Sequence, residues 1–109
     1  MKVILVNGGP HKDGCTNVAL EEIAKILKSE KIETEIMWLE NNPIGGCIGC
    51  NYCLQNGNRC FMDDRVNEFL EKVETTDGFV FGSPVHFAGA SGALTSFLDR
   101  AFYGRGSLF

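Results

Sequence analysis

Residues 2–17 read KVILVNGGPHKDGCTN, and this stretch holds the pattern from which the fold class follows. Residues 3–6 form a continuous apolar run rich in β-branched side chains, which is typical of a strand buried on both faces of a parallel sheet. A glycine-rich turn at residues 7–10 ends the run, and Thr16 or Asn17 is placed to cap a following helix. The stretch therefore predicts a strand, a tight turn and a helix in succession.

Outward from this unit, the rest of the chain repeats the alternation of strand and helix. Residues 20–27 carry an apolar stripe at helical spacing, and residues 32–39 alternate as a half-exposed strand toward a sheet edge. Asp63 and Asp64 offer N-caps to a second helix, GFVFG at 78–82 is another buried strand, and a third helical stripe follows. Three strands joined by helices make half of an open α/β sheet, with a right-handed crossover.

The composition narrows the class of protein. The chain has 109 residues, enough for one domain over residues 1–109, and its formal net charge is −4 without a basic run, which argues against a nucleic-acid partner. No apolar run approaches the roughly 20 residues of a membrane span, and the N-terminal run fits a strand rather than a signal peptide. We therefore expect a cytoplasmic protein without a membrane partner.

Four of the five cysteines lie in one stretch, GCIGCNYCLQNGNRCFMDD at residues 46–64. Their spacing is C-x2-C-x2-C-x6-C, formed by Cys47, Cys50, Cys53 and Cys60. Thiolates this dense indicate an iron–sulfur cluster, a tetrahedral zinc site, or structural or redox thiols without a metal. The x6 gap differs from the bacterial ferredoxin run, and zinc sites more often pair two separated knuckles. The spacing alone leaves all three interpretations open.

The first loop has the chemistry of an anion site. Its glycines let backbone N–H groups approach an anion, and the helix that follows adds the positive end of its dipole. Further donors and charges are available from His11, Lys12, Thr16 and Asn17. The stretch is neither a Walker loop nor G-x-G-x-x-G, so an ordinary turn that binds nothing is the alternative to a phosphate site.

A second loop, residues 83–89, follows the buried strand at its C-terminal end. His86 or Phe87 is placed there to lie against a flat aromatic ring, and the alternative is a plain loop with Phe87 in the core. Asp99 and Arg100, on the last helix, indicate a solvated helix end rather than catalytic residues. Because ligands of open α/β sheets bind beyond the carboxyl ends of the strands, both loops fall where a ligand site is expected.

Three stretches together resemble a known family. They are NGGPHKDGCTN at 7–17, GCIGCNYCLQNGNRCFMDD at 46–64 and GFVFGSPVHFAGASGALTSFLDRAF at 78–102. The chain resembles the flavodoxin-like NAD(P)H-dependent FMN reductases and, more closely, their iron–sulfur flavoprotein branch, which carries a compact C-x2-C-x2-C-x4-7-C motif. The resemblance implies an α/β, flavodoxin-like doubly wound parallel sheet, of which this chain would hold three strands in the order 2-1-3 and about three helices.

The resemblance also implies the cofactors and their sites. FMN would lie at the carboxyl edge of the sheet, with its phosphate on a loop formed by Gly9, His11, Cys15, Thr16 and Asn17. The isoalloxazine ring would lie against a second loop, formed by Pro84, Val85, His86, Phe87 and Ala88. A [4Fe-4S] cluster would be held in a Cys-rich loop, residues 45–62, by Cys47, Cys50, Cys53 and Cys60.

The implied reaction is an oxidoreduction. NAD(P)H would give a hydride to flavin N5, and electrons would leave singly through the cluster, or as a pair, to a small-molecule or protein electron acceptor. A cluster-free FMN or quinone reductase and a non-catalytic metal-binding or interaction fragment are the alternatives. The family's first loop commonly reads GSPR, whereas this chain has Gly9, Pro10 and His11, so a serine hydroxyl and an arginine charge are replaced.

The length of the chain bears on its assembly. Members of the family have nearly twice as many residues, and strands four and five of the family fold lie outside the 109 residues of this sequence. The third strand is then expected to leave an open edge, which is a liability for pairing. We therefore expect either a shortened product or a homo-oligomer, in which the third strand or third helix contacts a partner subunit.

Overall fold

The computed structural model describes residues 1–105, so residues 106–109 of the predicted domain lie outside the described part. Strands and helices alternate along it, as β1 (Lys2–Asn7), α1 (Cys15–Ser29), β2 (Glu33–Trp38), α2 (Tyr52–Gln55), α3 (Arg65–Lys72), β3 (Gly78–Gly82), β4 (Val85–His86), β5 (Gly89–Ala90) and α4 (Gly92–Arg105). A short 3-10 turn, Val73–Thr75, continues α3.

β1 lies at the centre of a three-stranded parallel sheet with the order β2-β1-β3. Val3 pairs with Thr34 of β2 on one side and with Gly78 of β3 on the other. The predicted flavodoxin-like strand order is therefore confirmed. The described residues contain four α-helices rather than about three, because the cysteine stretch includes the single-turn helix α2. They also contain a small antiparallel hairpin of β4 and β5, which the sequence did not indicate.

One face of the sheet is covered by α3 and α4. Ile4 and Val6 of β1 are fully buried on this face, in one apolar cluster with Phe69 of α3 and Phe97 of α4. The two phenylalanine rings meet edge to face with their centres 5.0 Å apart, a favoured geometry for aromatic pairs. This packing holds α3 beside α4, and the cysteine stretch folds over the same pair of helices.

The opposite face is covered, within the described residues, by α1. Leu5 of β1 points to this side because successive side chains of a strand alternate between faces, and it packs against Leu20 and Ala24. Burying a side chain of this size contributes roughly 1.5–3 kcal/mol. The outer surface of α1 keeps two large apolar residues, Val18 and Ile26, mostly exposed.

The prediction that Thr16 or Asn17 caps α1 is wrong. The helix begins at Cys15, its N-cap is Gly14, and no side chain accepts a hydrogen bond from the first turn. Thr16 and Asn17 therefore lie inside the helix, where the Asn17 amide donates to Glu21 Oε1 at 3.1 Å. The N-cap predicted for the second helix is present: Asp64 accepts a hydrogen bond from the Val66 N–H at 3.1 Å.

Two further features bear on the surroundings of the chain. Among the described residues, β3 pairs with β1 alone, so its other edge carries unpaired backbone groups. No helix in this part of the chain is long and apolar enough to cross a membrane.

Candidate functional site

The first loop is held in shape by two side chains, one from β1 and one from β2. Asn7 is fully buried, and its Oδ1 accepts from the Gly9 N–H at 2.9 Å while its Nδ2 donates to the Lys12 carbonyl at 3.3 Å. The Trp38 indole N–H donates to the Gly9 carbonyl at 2.8 Å. Both polar groups of Gly9 are thus already engaged, so its N–H is not available to a phosphate.

The first turn of α1 offers other donors. The opening N–H groups of a helix have no partner within the helix, and here they belong to Cys15, Thr16 and Asn17. No carboxylate lies in this first turn, so the positive end of the helix dipole is not opposed from within it. Cys15 and His11 are exposed, whereas Thr16 and Asn17 are half-buried. The predicted phosphate residues therefore divide into three groups: the helix N-terminal residues Cys15, Thr16 and Asn17, the exposed His11 before the helix, and the engaged Gly9.

The two predicted loops meet at Gly9. A side chain added to this glycine would place its Cβ 3.1 Å from Asn7 Oδ1, 3.5 Å from Thr16 Oγ1 and 3.6 Å from Pro84 Cδ. The chain therefore brings together residues that lie 75 positions apart, as Gly9 and Pro84 do. The close approach favours a glycine at position 9, because any side chain there would force the fully buried Asn7 to shift.

The second loop forms a projecting hairpin. Phe87 and Ala88 sit at its tip with φ angles of 46° and 62°, in the left-handed region that glycine and asparagine favour in two-residue hairpins. Such backbone costs about 1–3 kcal/mol for each non-glycine residue. The Phe87 side chain is fully exposed, so the interpretation of Phe87 as a core residue is wrong. Val85 and His86 are exposed as well, and an aromatic ligand can reach this surface.

A cleft of about 440 Å³ opens at the carboxyl edge of the sheet, a volume within the usual range of ligand sites. It is lined by the first loop, the segment after β2, His86 and the start of α4. Among the predicted flavin residues, Gly9 and His86 line the cleft, and the others lie around or outside it. Ser91 joins two of its walls, because its Oγ donates to the Gly8 carbonyl at 2.7 Å and accepts from the Leu94 N–H at 3.2 Å.

One carboxylate lies in the wall of this cleft. Glu40 follows β2 and pairs with Arg65 of α3, which also binds Glu68 at 2.6 Å. The hydrogen bond that Arg65 donates to Glu68 outweighs partial burial and raises the pKa of the Arg65 guanidinium, so this cation stays charged. Because Arg65 balances Glu40, the cleft does not present an uncompensated negative charge to an anionic ligand.

The four clustered cysteines line a second, smaller cavity between the cysteine stretch, α3 and α4. Cys47, Cys50, Cys53 and Cys60 are all free thiols, and the cavity holds about 30 Å³, room for about one or two water molecules. Nowhere in residues 1–105 do three His, Cys, Asp or Glu side chains come close enough to hold a metal ion. The donor set suits a soft metal, but the thiols as described surround the cavity without forming a finished site.

The backbone at Cys60 is fixed by Asn67 of α3. The Cys60 N–H donates to Asn67 Oδ1, and Asn67 Nδ2 donates back to the Cys60 carbonyl, both at 2.9 Å. Asn67 is almost fully buried, and it binds the Met62 carbonyl as well, at 3.3 Å. The C-terminal end of the cysteine stretch is therefore anchored to a packed helix, whereas Cys47 and Cys50 are exposed.

The interpretation of Arg100 as part of a solvated helix end is wrong. Its side chain is 2% exposed and forms a bidentate pair with Asp64, with N–O distances of 2.8 and 2.9 Å. Burial lowers the pKa of the Arg100 guanidinium, but the Asp64 carboxylate and the nearby Cys60 thiol outweigh it and leave that pKa raised. The sequence held a signal for this, because position 100 lies three residues after Phe97 on the buried side of α4.

Helix α4 connects the cleft and the cavity. Its first residues, Gly92, Ala93 and Ser96, line the cleft, whereas Arg100 and Gly104 line the cysteine cavity. Four residues of helix correspond to a rise of about 6 Å, so the two candidate sites lie close together along one element. Sequence reasoning missed the supporting residues Asn7, Trp38 and Ser91, although Ser91 directly before a helical stripe is a typical N-cap signal.

Comparison with known proteins defines the class. A family model described as NADPH-dependent FMN reductase matches residues 1–109, which is the whole sequence. The chain therefore belongs to the NADPH-dependent FMN reductase family. The three-stranded sheet of order 2-1-3, with its loops at the carboxyl edge, is the architecture expected for a member of this family.

Its relatives are more specific. The chain is 40% identical over 101 residues to an iron-sulfur flavoprotein of Methanocaldococcus jannaschii, covering 93% of this chain and 52% of the relative. It is 35% identical to an iron-sulfur flavoprotein of Archaeoglobus fulgidus (93% and 49% covered) and 25% identical to one of Methanosarcina thermophila (93% and 52% covered). The chain spans about half the length of the curated relatives it matches.

Proposed function

We propose that this chain forms the flavin-binding part of an FMN-dependent oxidoreductase that uses NAD(P)H. The observation that carries the proposal is the 440 Å³ cleft at the carboxyl edge of the sheet, bordered by a fixed glycine loop, in a chain of the FMN reductase family. Bound FMN would supply the redox chemistry, accepting a hydride and releasing electrons singly or in pairs, while the protein binds and orients it.

Each part of the site has a separate task in this proposal. The free N–H groups at the start of α1, at Cys15, Thr16 and Asn17, bind the phosphate. The exposed face of Phe87 and the neighbouring His86 contact the ring. Asn7 and Trp38 hold the first loop in its bound shape before the ligand arrives, which lowers the ordering cost of binding.

The cysteine cavity is the proposed place of a [4Fe-4S] cluster held by Cys47, Cys50, Cys53 and Cys60. Three observations support it: the free thiols line one cavity, the buried guanidinium of Arg100 adjoins it, and the three relatives compared above are named iron-sulfur flavoproteins. Electrons would then pass along the short path beside α4 to a small-molecule or protein acceptor. The open edge of β3 supports a homo-oligomer. A monomeric mass from light scattering would count against the homo-oligomer.

A cluster-free FMN or quinone reductase is the second candidate. It is favoured by the size of the cysteine cavity, about 30 Å³, and by thiols that do not converge in the described residues. Iron bound in stoichiometric amount to anaerobically purified protein separates the first candidate from the second. Failure to bind FMN would leave the third interpretation, a non-catalytic metal-binding or interaction fragment.

The phosphate site can be tested by a charge placed at the start of α1. Cys15→Asp adds a carboxylate among the proposed phosphate donors, and at about 6 Å from a phosphate of nearly two charges it opposes binding by roughly 1 kcal/mol. We expect FMN affinity, measured by flavin fluorescence quenching, to fall about five- to tenfold. The same charge at a helix N-terminus stabilises the helix by roughly 0.3–1 kcal/mol, so weaker binding would not reflect a weaker fold.

Two controls make the test specific. Cys15→Asn has nearly the shape of the aspartate variant without its charge and should bind FMN like the unmodified chain, as should Ala19→Asp, one turn further along the exposed side of α1. Riboflavin lacks the phosphate, so its affinity should not distinguish Cys15→Asp from Cys15→Asn. Equal FMN affinities for these two variants would place the phosphate elsewhere and contradict the assignment.

A further inference from the structure

Arg100 has an unusual set of partners for a residue on a small domain. A guanidinium carries five N–H donors. Nη1 donates to Asp64 Oδ2 at 2.8 Å and to the Gly45 carbonyl at 3.2 Å. Nη2 donates to Asp64 Oδ1 at 2.9 Å and to the Met62 carbonyl at 2.7 Å. Four of the five donors are therefore used, and they leave the Nε–H.

The remaining donor is buried without an acceptor. Among the side chains that the structure describes, Arg100 Nε is the one buried nitrogen or oxygen that lacks a hydrogen-bond partner. A buried donor left unpaired is costly, and in native proteins such a group usually has a partner. Arg100 lines the same cavity as the four cysteines, and the Cys60 thiol lies against its guanidinium. The missing acceptor is therefore to be sought among the sulfur atoms at this cavity.

The other contacts of Arg100 concern the geometry of the cysteine stretch. Gly45 precedes Cys47 and Met62 follows Cys60, so one side chain binds the backbone at both ends of the segment that carries all four thiols. Asp64, which caps α3, fixes the guanidinium plane through two parallel hydrogen bonds. A rigid group thus sets the distance between the two ends of the stretch, and its unpaired Nε–H belongs to a residue that lines the cavity of the four thiols.

We infer that Arg100 is a positioning residue of the cysteine site, which closes the loop between Gly45 and Met62 and donates its Nε–H to a sulfur of the group that the cysteines bind. This inference rests on the proposed function, since it requires a metal or cluster at the four thiolates. A hydrogen bond and a positive charge at a ligand sulfur stabilise the more negative, reduced state. Arg100 therefore raises the reduction potential of that group as well as its affinity.

The donor can be observed directly in the unmodified chain. The reduced, metal-free chain labelled with nitrogen-15 is titrated anaerobically with cadmium-113, a soft metal suited to thiolates, and the Arg100 Hε resonance is assigned from its loss in Arg100→Lys. We expect this resonance to move downfield on metal binding and to show a coupling to the metal across the N–H···S hydrogen bond. A resonance that stays unchanged while the cysteine resonances respond would overturn the inference.

Variants test the effect on affinity and potential. Arg100→Lys keeps the charge beside Asp64 but loses the Nε–H and the planar fork. Arg100→Gln loses the charge as well as the Nε–H and the fork. Cobalt(II) binding, followed by the thiolate charge-transfer band, should weaken at least tenfold in Arg100→Gln and to a smaller extent in Arg100→Lys. In the chain reconstituted with iron and sulfide, the midpoint potential should move to more negative values in the same order.

Arg59→Gln is the matched control. Arg59 lies inside the cysteine stretch but is exposed, and it pairs at 2.6 Å with Asp63 and with Glu71. Its loss should leave the cobalt affinity within about twofold of the unmodified chain. The midpoint potential should stay within about 20 mV, which is what a twofold change gives at 59 mV per tenfold change for one electron. Equal cobalt affinities and equal midpoint potentials for the Arg59 and Arg100 variants would overturn the inference about Arg100 without affecting the proposed cluster. A chain that binds neither cobalt, cadmium nor iron would overturn the inference together with the proposed cluster, whereas FMN binding is judged separately by the Cys15 variants.

Discussion

At the scale of single residues, the polar tip of Trp38 connects the second strand to the first loop. Its ring is half-buried at the end of β2, and its N–H meets the Gly9 carbonyl at 2.8 Å. Asn7 holds the N–H of the same glycine from the other side. Two side chains from neighbouring parallel strands thus fix one loop residue, and the shape of the loop is set by the sheet rather than by the loop sequence.

Trp38→Phe should therefore lower both stability and flavin affinity. The change leaves the Gly9 carbonyl without its donor, and a lost hydrogen bond of this kind costs about 0.5–1.5 kcal/mol of the free energy of unfolding. FMN should bind several-fold more weakly, because part of the binding energy must then order the loop. Urea unfolding followed by circular dichroism gives the first quantity, and flavin fluorescence titration gives the second.

Tyr103→Phe is the control for this prediction. It also removes one aromatic donor, the hydroxyl that bonds Asn51, but at an exposed position away from the first loop. It should change stability by less than about 0.5 kcal/mol, as surface substitutions usually do, and leave FMN affinity unchanged. If Trp38→Phe behaved like Tyr103→Phe in the flavin titration, the first loop would not need the indole to hold its shape.

The residues that sequence reasoning placed wrongly share one property: their environment comes from distant parts of the chain. Arg100 is buried because Asp64 and the carbonyls of Gly45 and Met62 surround it, 36 or more positions earlier in the sequence. Phe87 is exposed because the β4–β5 turn carries it out from the sheet. The charged residue is thus buried and the aromatic residue exposed. Neither local periodicity nor residue type predicts the contacts responsible.

At the scale of elements, the apolar pattern was sufficient for the sheet. β1 is central because residues 4, 5 and 6 are apolar on both sides of the pleat, and β2 is an edge strand because its residues alternate. The cysteine stretch could not be derived in the same way. It has no repeating pattern, and its course depends on Asn67 and Arg100, which belong to two different helices.

Glu35 connects β2 to α3 and to β1, and its pairing predicts a pH dependence. A hydrogen bond from Lys72 lowers the pKa of the Glu35 carboxyl below its ordinary value; burial opposes this shift, and Lys2, at 3.2 Å, adds to it. Because the folded-state pKa is lowered, the ion pairs stabilise the fold above the unfolded-state pKa, and this contribution is lost as pH falls through the folded-state value. The pairs are about one-third exposed, so they contribute up to about 1 kcal/mol.

Glu35→Gln should therefore reduce the free energy of unfolding at pH 7 by up to about 1 kcal/mol, and the difference from the unmodified chain should vanish below the folded-state pKa. Urea unfolding at neutral and acidic pH measures this. Glu33→Gln removes the same charge from an exposed position on the same strand and should have no comparable effect. If the difference in the free energy of unfolding between Glu35→Gln and the unmodified chain stayed the same at acidic pH, it would come from packing rather than from charge.

At the scale of the whole molecule, the two candidate sites share one support. Helix α4 is held against the sheet by Phe97, opens at the cleft with Gly92 and passes the cysteine cavity at Arg100. A change in the angle of this helix would alter both sites together. This coupling follows from tertiary packing, which is why the sequence indicated two sites but not their common element.

Binding of FMN should therefore stabilise the whole domain. A ligand that binds the folded state alone, at one hundred times its dissociation constant, adds about 2.7 kcal/mol to the free energy of unfolding. For a domain of this size that corresponds to a rise in the melting temperature of roughly 10 °C, measured by circular dichroism at increasing FMN concentration. Riboflavin at the same concentration should give a smaller shift, because it lacks the phosphate that the first turn of α1 would bind. Equal shifts of the melting temperature for the two flavins would mean that the cleft binds the flavin ring and that α1 does not bind the phosphate. No shift with FMN at saturation would contradict flavin binding by this chain.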